Sequence, residues 1–200
     1  MTVAAPGVSF ESLHCPAGLT ISWGDGWTPG WSSSATLTNC TSTGEEITVQ
    51  QGESLVMHDC RVFGVTRLPP SVSGRFFGSR AVACSGEMSA TRCTFEGNEG
   101  TGASVRGAGA TAELTECAIH DNGLHGLNVY EARATLRGGS ARSNAKCGVR
   151  AAWGGRITVA AAADLQPQTV SLENEGKDWS TDRGGAIDGL LAADVEVVAL

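Results

Sequence analysis

Several features on which most globular domains rely are scarce in this 200-residue sequence. Lys occurs twice, Tyr once, and aromatic residues make up 6% of the chain. No apolar run is long enough to span a bilayer, so we expect no membrane partner. The first fifteen residues also lack the basic segment and apolar stretch of a secretory signal. The sequence thus does not determine the cellular compartment, although it weakly favours the cytoplasm.

Positive charge is absent from the first part of the chain and concentrated in the middle. Residues 1–60 contain six acidic residues and no Lys or Arg, whereas residues 61–157 contain twelve basic residues against seven acidic ones. The net charge of -7, the sequence pI of about 5.0 and the low Lys count disfavour nucleic acid as a partner. The basic middle predicts either local charge pairing or one face for an anionic partner.

The seven cysteines are an odd number and form no C-x-x-C pair. This pattern excludes a complete disulfide framework and does not favour a zinc site. We therefore expect free, buried thiols, with no metal and no cofactor.

An internal repeat organises the sequence. Segments 93–107, 117–131 and 139–153 align with spacings of 24 and 22 residues. The alignment superimposes Cys93, Cys117 and Gly139, then Asn98, Asn122 and Asn144, then Gly102, Gly126 and Gly148. Each copy shows period-two alternation in short segments, which indicates strands. Since one such unit cannot bury its apolar face alone, the copies must stack into a parallel solenoid, for which right-handed connections are the strong default.

The predicted fold is an all-β, right-handed, single-stranded parallel β-helix of about seven rungs. We expect residues 1–200 to form a single domain with clear repeats over 35–160. Its ends are predicted to be an N-terminal rung or cap over 1–34 and a C-terminal rung or cap over 161–200. Residues 66–78 are predicted to be an inserted loop.

The pattern C-x-φ-x-x-N-x-x-x-G-φ-x-φ, where φ is apolar, resembles the right-handed parallel β-helix repeats of the pectate-lyase-like superfamily. The tail, with Ser171 to Asp178 followed by Gly184 to Ile187, is also similar to β-helix repeat proteins of unicellular algae whose function is not established. This resemblance implies that ligands lie across the strand that begins at the repeat Gly.

The phase of the repeat predicts which side chains face inward. One strand of each rung buries Ile21, Ile47, Val49, Val105, Leu127, Val129, Val149 and Ala151. A second buries Leu37, Leu55, Met57, Leu114, Leu136 and Ile157. A third buries Val62, Phe95 and Ile119 with the cysteine column Cys40, Cys60, Cys93 and Cys117. The stacked Asn98, Asn122 and Asn144 predict a buried amide ladder.

Outward positions of the first strand contain the candidate site. They are Thr20, Ser22, Thr48, Gln50, Ser104, Arg106, Asn128, Tyr130, Arg150 and Ala152. Among them Arg106, Asn128 and Arg150 are candidate ligand-binding residues, with Lys146 in a preceding turn. His125, in another turn, and Tyr130 are candidates for moving a proton.

Two functions fit this set of residues. The first is a non-catalytic β-helix domain that presents a binding surface to a carbohydrate or a protein. The alternative is a polysaccharide lyase or uronate epimerase acting on an anionic polysaccharide, because two guanidinium groups can bind a uronate carboxylate. No carboxylate pair occupies the outward positions, which argues against a glycoside hydrolase. The balance leans towards a protein that is not an enzyme.

Overall fold

The computed structural model describes residues 2–3, 6–16, 19–21, 33–66, 79–160 and 170–189. Within these ranges the chain forms 23 short strands and no helix, so none that could cross a membrane. The strands are β1 (Thr2–Val3), β2 (Val8–Glu11), β3 (His14–Cys15), β4 (Leu19–Ile21), β5 (Ser34–Thr38), β6 (Thr41–Thr43), β7 (Ile47–Val49), β8 (Ser54–His58), β9 (Arg61–Phe63), β10 (Arg80–Cys84), β11 (Glu87–Thr91), β12 (Thr94–Glu96), β13 (Thr101–Arg106), β14 (Thr111–Thr115), β15 (Ala118–His120), β16 (Leu127–Tyr130), β17 (Arg133–Arg137), β18 (Ser140–Arg142), β19 (Val149–Ala152), β20 (Arg156–Val159), β21 (Val170–Leu172), β22 (Trp179–Asp182) and β23 (Ala186–Asp188).

Each rung contributes one strand to each of three parallel sheets, except the last described rung, whose β22 and β23 belong to sheets A and B. Sheet A has the order β1-β4-β7-β10-β13-β16-β19-β22, sheet B the order β2-β5-β8-β11-β14-β17-β20-β23, and sheet C the order β21-β18-β15-β12-β9-β6-β3. The all-β, right-handed parallel β-helix predicted from the repeat is confirmed. The segment 67–78, which holds most of the predicted inserted loop, lies outside the described residues.

The inward faces follow the predicted phase. In sheet A, Ala103 pairs with Leu127 and Leu127 with Val149, and all three are at most 1% exposed. The same alternation buries Leu114 and Leu136 in sheet B. One continuous apolar core therefore fills the space between the sheets. The predictions for Ser22 and the Ile21 side chain fall outside the described residues.

Two outward positions of sheet A are less accessible than predicted. Ser104 is 2% exposed and Ala152 is 0% exposed, although both follow the outward phase. They are small residues beside longer ones on the neighbouring rungs, since Ser104 is in register with Asn128, and Ala152 with Tyr130. They lie at the base of the outer face instead of projecting from it.

The predicted cysteine column runs along the corner between sheets B and C. Cys40, Cys60, Cys93 and Cys117 are each at most 4% exposed. The Cys60 thiol donates to the carbonyl of Leu37 on the preceding rung at 3.4 Å. A hydrogen bond with Cys117, together with burial, raises the pKa of the Cys93 thiol to about 12. All seven cysteines are free, and those in the column are packed as small hydrophobic groups.

The asparagine ladder is confirmed and has one more member than predicted. The Asn98 Nδ2 donates to Asn122 Oδ1 at 2.8 Å, and the Asn122 Nδ2 donates to Asn144 Oδ1 at 2.9 Å. The Asn144 Nδ2 donates to Asn174 Oδ1 at 2.9 Å. The three predicted members are at most 2% exposed, so the ladder satisfies polar groups that water cannot reach.

The repeat glycines permit close approach of successive rungs. A Cβ atom at Gly126 would lie 2.5 Å from the Gly148 carbonyl oxygen and 2.9 Å from Asn144 Nδ2. We expect Gly126→Ala to lower the free energy of unfolding by about 1–3 kcal/mol, because the rungs must move apart. Chemical denaturation measures this loss.

Gly97→Asp is the matched control for this glycine substitution. Gly97 has a φ of 58° and open space around its Cβ position, and Asp121 occupies the equivalent place on the next rung with a φ of 56°. The control is expected to cost less than Gly126→Ala, at most about 1 kcal/mol, because the left-handed backbone strains a side chain but Asp tolerates it better than most residues. Equal losses in the two variants would contradict the steric explanation.

Candidate functional site

All six candidate site residues line one groove on the outer face of sheet A, which we call the sheet A groove. It has a volume of about 280 Å³. Strands β13, β16 and β19 supply Arg106, Asn128, Tyr130 and Arg150, while the turns before β16 and β19 supply His125 and Lys146. In this parallel register Arg106 is beside Tyr130, and Asn128 is beside Arg150. Neighbouring strands about 4.8 Å apart therefore bring residues from three rungs together.

Arg150 is held in place by partners on both neighbouring rungs. Its Nη2 forms an ion pair with Asp182 Oδ2, and its Nη1 donates to Asn128 Oδ1 at 3.3 Å. The Arg150 side chain is 23% exposed. Asp182 thus fixes the guanidinium group while leaving part of it accessible from the groove.

Arg106 lies in a partly buried and positively charged environment. Its Cζ is 5.0 Å from the centre of the Tyr130 ring, within the range of a cation–π contact. Burial, followed by the nearby positive charge of Arg80, lowers the pKa of the Arg106 guanidinium. Both effects disfavour a cation, so an anion placed beside Arg106 would be favoured.

His125 is neutral at neutral pH. Burial, together with the positive charges of Arg150 and Lys146, lowers its pKa to about 4. The Cys147 backbone N–H donates to His125 Nδ1 at 3.3 Å. The neutral imidazole therefore carries its proton on Nε2, which makes that nitrogen a hydrogen-bond donor. In this tautomer Nε2 cannot accept a proton from a substrate.

A continuous stack of cationic and aromatic side chains bounds the groove. Arg106 contacts the Tyr130 ring, the Tyr130 and Trp153 ring centres are 5.7 Å apart, and the Arg183 Cζ lies 4.2 Å from the centre of the Trp153 ring. These residues occupy four successive rungs at the corner between sheets A and B. We call this set of four side chains the cation–aromatic stack.

Sequence reasoning missed two residues that shape the groove, Arg80 and Trp153. Arg80 begins β10 directly after the long insertion that interrupts the repeat. The repeat pattern therefore did not show which residue of the next strand pairs with Arg80. Arg80 pairs in register with Thr101. Trp153 lies in a turn with one residue more than the turn of the preceding rung, which displaces it from the outward columns. An alignment of Arg80 with Thr101 in the repeat would have identified Arg80 as a residue of the groove.

Two arginines on other faces of the solenoid are paired with carboxylates. Arg92 contacts Asp59 through two hydrogen bonds of 2.7 and 2.8 Å, and Arg137 donates to Glu113 at 2.6 Å. The local charge pairing predicted as one possibility for the basic middle of the chain is thus present outside the groove. In the groove, Arg150 is paired with Asp182, and Arg80 with Glu46 at 3.5 Å, but the described residues of the lining itself include no Asp or Glu.

Comparison with known proteins supports the class that this geometry defines. Residues 80–161 match the family described as "Right handed beta helix region". No curated protein matches the chain. The chain folds as a right-handed parallel β-helix, which is consistent with a pectate-lyase-like β-helix repeat family. Among the described residues, no group of three or more His, Cys, Asp or Glu side chains is placed to hold a metal.

The low pKa of His125 predicts a loss of stability in mild acid. An unfolded His has a pKa of about 6.5, so between that pH and about 4 the unfolded chain takes up a proton that folded His125 does not. The free energy of unfolding therefore falls as the pH drops through this window, by up to about 3 kcal/mol. His125→Gln removes this part of the decline, which denaturation at pH 7 and pH 4 measures.

Exposed His14 provides the control for this pH dependence. His14→Gln is expected to keep the wild-type difference between the two pH values. If His125→Gln also kept it, the buried neutral state of His125 would be wrong.

Proposed function

We propose that this protein is a non-catalytic binding domain for an acidic polysaccharide, which lies in the sheet A groove. A β-helix fold in general indicates a binding or carbohydrate-active domain. The main support for an acidic polysaccharide as the ligand is the lining of the groove. It brings together Arg80, Arg106, Lys146 and Arg150 without a lining carboxylate among the described residues.

The neutral polar groups of the groove favour an acidic sugar over a simple anion. Thr101, Ser104 and Asn128 lie among the cations, and His125 contributes an Nε2–H donor. A sugar acid presents hydroxyl groups and a carboxylate on the same ring, so it can use both kinds of partner. Guanidinium groups bind carboxylates through two parallel hydrogen bonds.

The shape of the groove favours a polymer. Its lining spans four adjacent strands of sheet A, from β10 to β19, which corresponds to about 14 Å along the stack. The groove is open to solvent, so the two ends of a bound chain can extend beyond it. A ligand with repeated acidic groups can therefore contact Arg106 and Arg150 through different sugar units.

The arrangement of acids and bases supports binding without chemistry. Glycoside hydrolysis uses two carboxyl groups on opposite sides of the scissile bond. The described carboxylates that pair with groove arginines are committed to them, Asp182 to Arg150 and Glu46 to Arg80. His125 is a donor, which leaves the Tyr130 hydroxyl as the proton-transfer group for a lyase or epimerase. Its proximity to Arg106 is the observation in favour of that alternative.

Calorimetric titration tests the proposal with four polymers: polygalacturonate, alginate, neutral dextran and poly-L-glutamate, which is acidic but contains no sugar. We expect binding to one or both acidic polysaccharides, weaker binding at high salt because charges are screened, and no binding to dextran. Equal affinity for poly-L-glutamate would contradict recognition of a sugar and favour an acidic protein partner.

The same mixtures test the catalytic alternative. A lyase forms an unsaturated product with ultraviolet absorbance, and an epimerase inverts C5, which NMR detects. We expect neither change. Product formation that is lost in Tyr130→Phe would overturn the non-catalytic proposal.

A further inference from the structure

A second groove lies at the corner between sheets A and B, on the other side of Trp153. We call it the corner groove. It has a volume of about 400 Å³, and its lining includes small residues such as Ala108, Gly109, Ala132 and Gly154. Because these residues have little or no side chain, the corner is recessed instead of filled. The charged residues of its lining are Glu131, Arg133 and Arg156.

Arg133 and Arg156 form a pair of like charges in this groove. They begin β17 and β20 and are direct partners in the parallel register, so their backbones are about 4.8 Å apart. Both are exposed, and neither has an ion pair with a described carboxylate. Like charges placed side by side on neighbouring strands repel each other. An anion between the two guanidinium groups would relieve that repulsion.

Glu131 reduces the positive charge of the corner but does not cancel it. It is exposed on the turn before β17, and its charge acts on Arg106, whose pKa it raises slightly against the larger effects of burial and Arg80. Two arginines therefore face a single carboxylate within the corner groove. The balance remains positive.

The cation–aromatic stack connects the two grooves, because Trp153 lines both of them. Tyr130 and Arg133 are three residues apart, which limits the separation of their Cα atoms to about 10 Å. Cations cover one face of the Tyr130 ring and one face of the Trp153 ring, and the edge of an aromatic ring carries partial positive charge. Oxygen-rich groups can therefore cross the stack at its exposed edge.

We propose that the corner groove is a second anion-binding subsite, in which Arg133 and Arg156 bind an acidic group of the polysaccharide chain that lies against Arg106 and Arg150. The identity of the ligand rests on the proposed function of the sheet A groove. The chain crosses the cation–aromatic stack between the two subsites. Affinity therefore increases when the polysaccharide is long enough to occupy both, as expected for linked binding sites.

Three double variants with the same change in net charge test the corner subsite with polygalacturonate as the probe. Arg133→Gln with Arg156→Gln removes the corner cations, and Arg106→Gln with Arg150→Gln removes those of the sheet A groove. Arg92→Gln with Arg137→Gln removes two arginines from other faces and serves as the control. Thermal denaturation first confirms that each variant is folded.

We expect the corner variant to bind polygalacturonate about tenfold more weakly than the control, because Arg133 and Arg156 are exposed and solvent weakens their charge interactions. Weakening in both groove variants supports both sites. Weakening only in the Arg106 and Arg150 variant overturns the corner subsite and leaves the proposed function standing. Weakening only in the corner variant overturns the sheet A groove as the binding site, and with it the two-subsite arrangement. Affinities equal to the control in both groove variants overturn both proposals.

Discussion

Replacing Arg106 and Arg150 together by Gln is expected to weaken binding of polygalacturonate by at least about a hundredfold. Each arginine offers a charge-assisted contact that contributes about 1.5–3 kcal/mol. Two such losses correspond to a factor of about 100 to 20,000 in the dissociation constant. Loss of Arg150 also leaves the Asp182 carboxylate without its ion-pair partner beside the groove, so repulsion of an anionic ligand adds to the effect.

Arg150→Lys separates the contribution of geometry from that of charge. Lys keeps the positive charge but lacks the planar fork that binds a carboxylate through two hydrogen bonds. We expect about a tenfold loss, between the wild type and the double Gln variant. Calorimetric titration at fixed salt measures all three affinities, with Arg92→Gln plus Arg137→Gln as the control. Wild-type affinity in the double variant of Arg106 and Arg150 would contradict the proposed site.

Asn122→Ala is expected to lower the free energy of unfolding by about 3–5 kcal/mol. Asn122 is 1% exposed, accepts a hydrogen bond from Asn98 Nδ2 at 2.8 Å and donates to Asn144 Oδ1 at 2.9 Å and to the Phe95 carbonyl at 3.1 Å. Its removal takes these hydrogen bonds from three buried groups: the Asn98 Nδ2, the Asn98 backbone N–H, which also donates to Asn122 Oδ1, and the Phe95 carbonyl. Each unsatisfied group costs about 1–3 kcal/mol, which places the total above the usual effect of a substitution.

Asn128→Ala is the control for the ladder, because Asn128 is half-buried and faces the groove. Its removal is expected to change stability by less than about 0.5 kcal/mol while weakening ligand binding. Chemical denaturation compares the two variants. Similar stability losses in both would contradict the special role of the ladder.

The repeat was sufficient to predict the fold and the faces of the strands. Cys60, Cys93 and Cys117 recur in phase with the apolar residues, so a sequence alignment places them in a column without knowledge of distances. The asparagines recur in the same way. Residues that occupy the same position in successive repeats become neighbours when the rungs stack. This explains why these predictions agree with the structure.

The depth and the boundaries of the site were not predictable in this way. The burial of Ser104 depends on longer side chains of neighbouring rungs, and the ion pair of Arg150 with Asp182 joins residues 32 positions apart. Trp153 enters the groove because its turn has an additional residue. Arg80 follows a long interruption of the repeat. Each of these features is determined by side-chain packing or by a local change in the length of the repeat. The consensus pattern of the repeats shows neither.

The two stacked systems of polar side chains in this solenoid have different consequences. In the asparagine ladder each buried amide finds a partner on the next rung, which stabilises the stack. In the sheet A groove, Arg106 and His125 lie in surroundings that disfavour positive charge on them. A bound anion would offset this unfavourable electrostatic environment. The asparagine ladder therefore serves stability, whereas the residues of the sheet A groove serve the proposed binding.

The most direct test of the central claim is an NMR titration of the ¹⁵N-labelled protein with trigalacturonate. The account predicts chemical-shift changes at the side chains of Arg106, Asn128 and Arg150. It also predicts a rise in the pKa of His125 from about 4, because a nearby carboxylate favours the protonated imidazole. Absence of shifts at these side chains, or a His125 pKa that does not change at saturation, would contradict binding of an acidic saccharide in the sheet A groove.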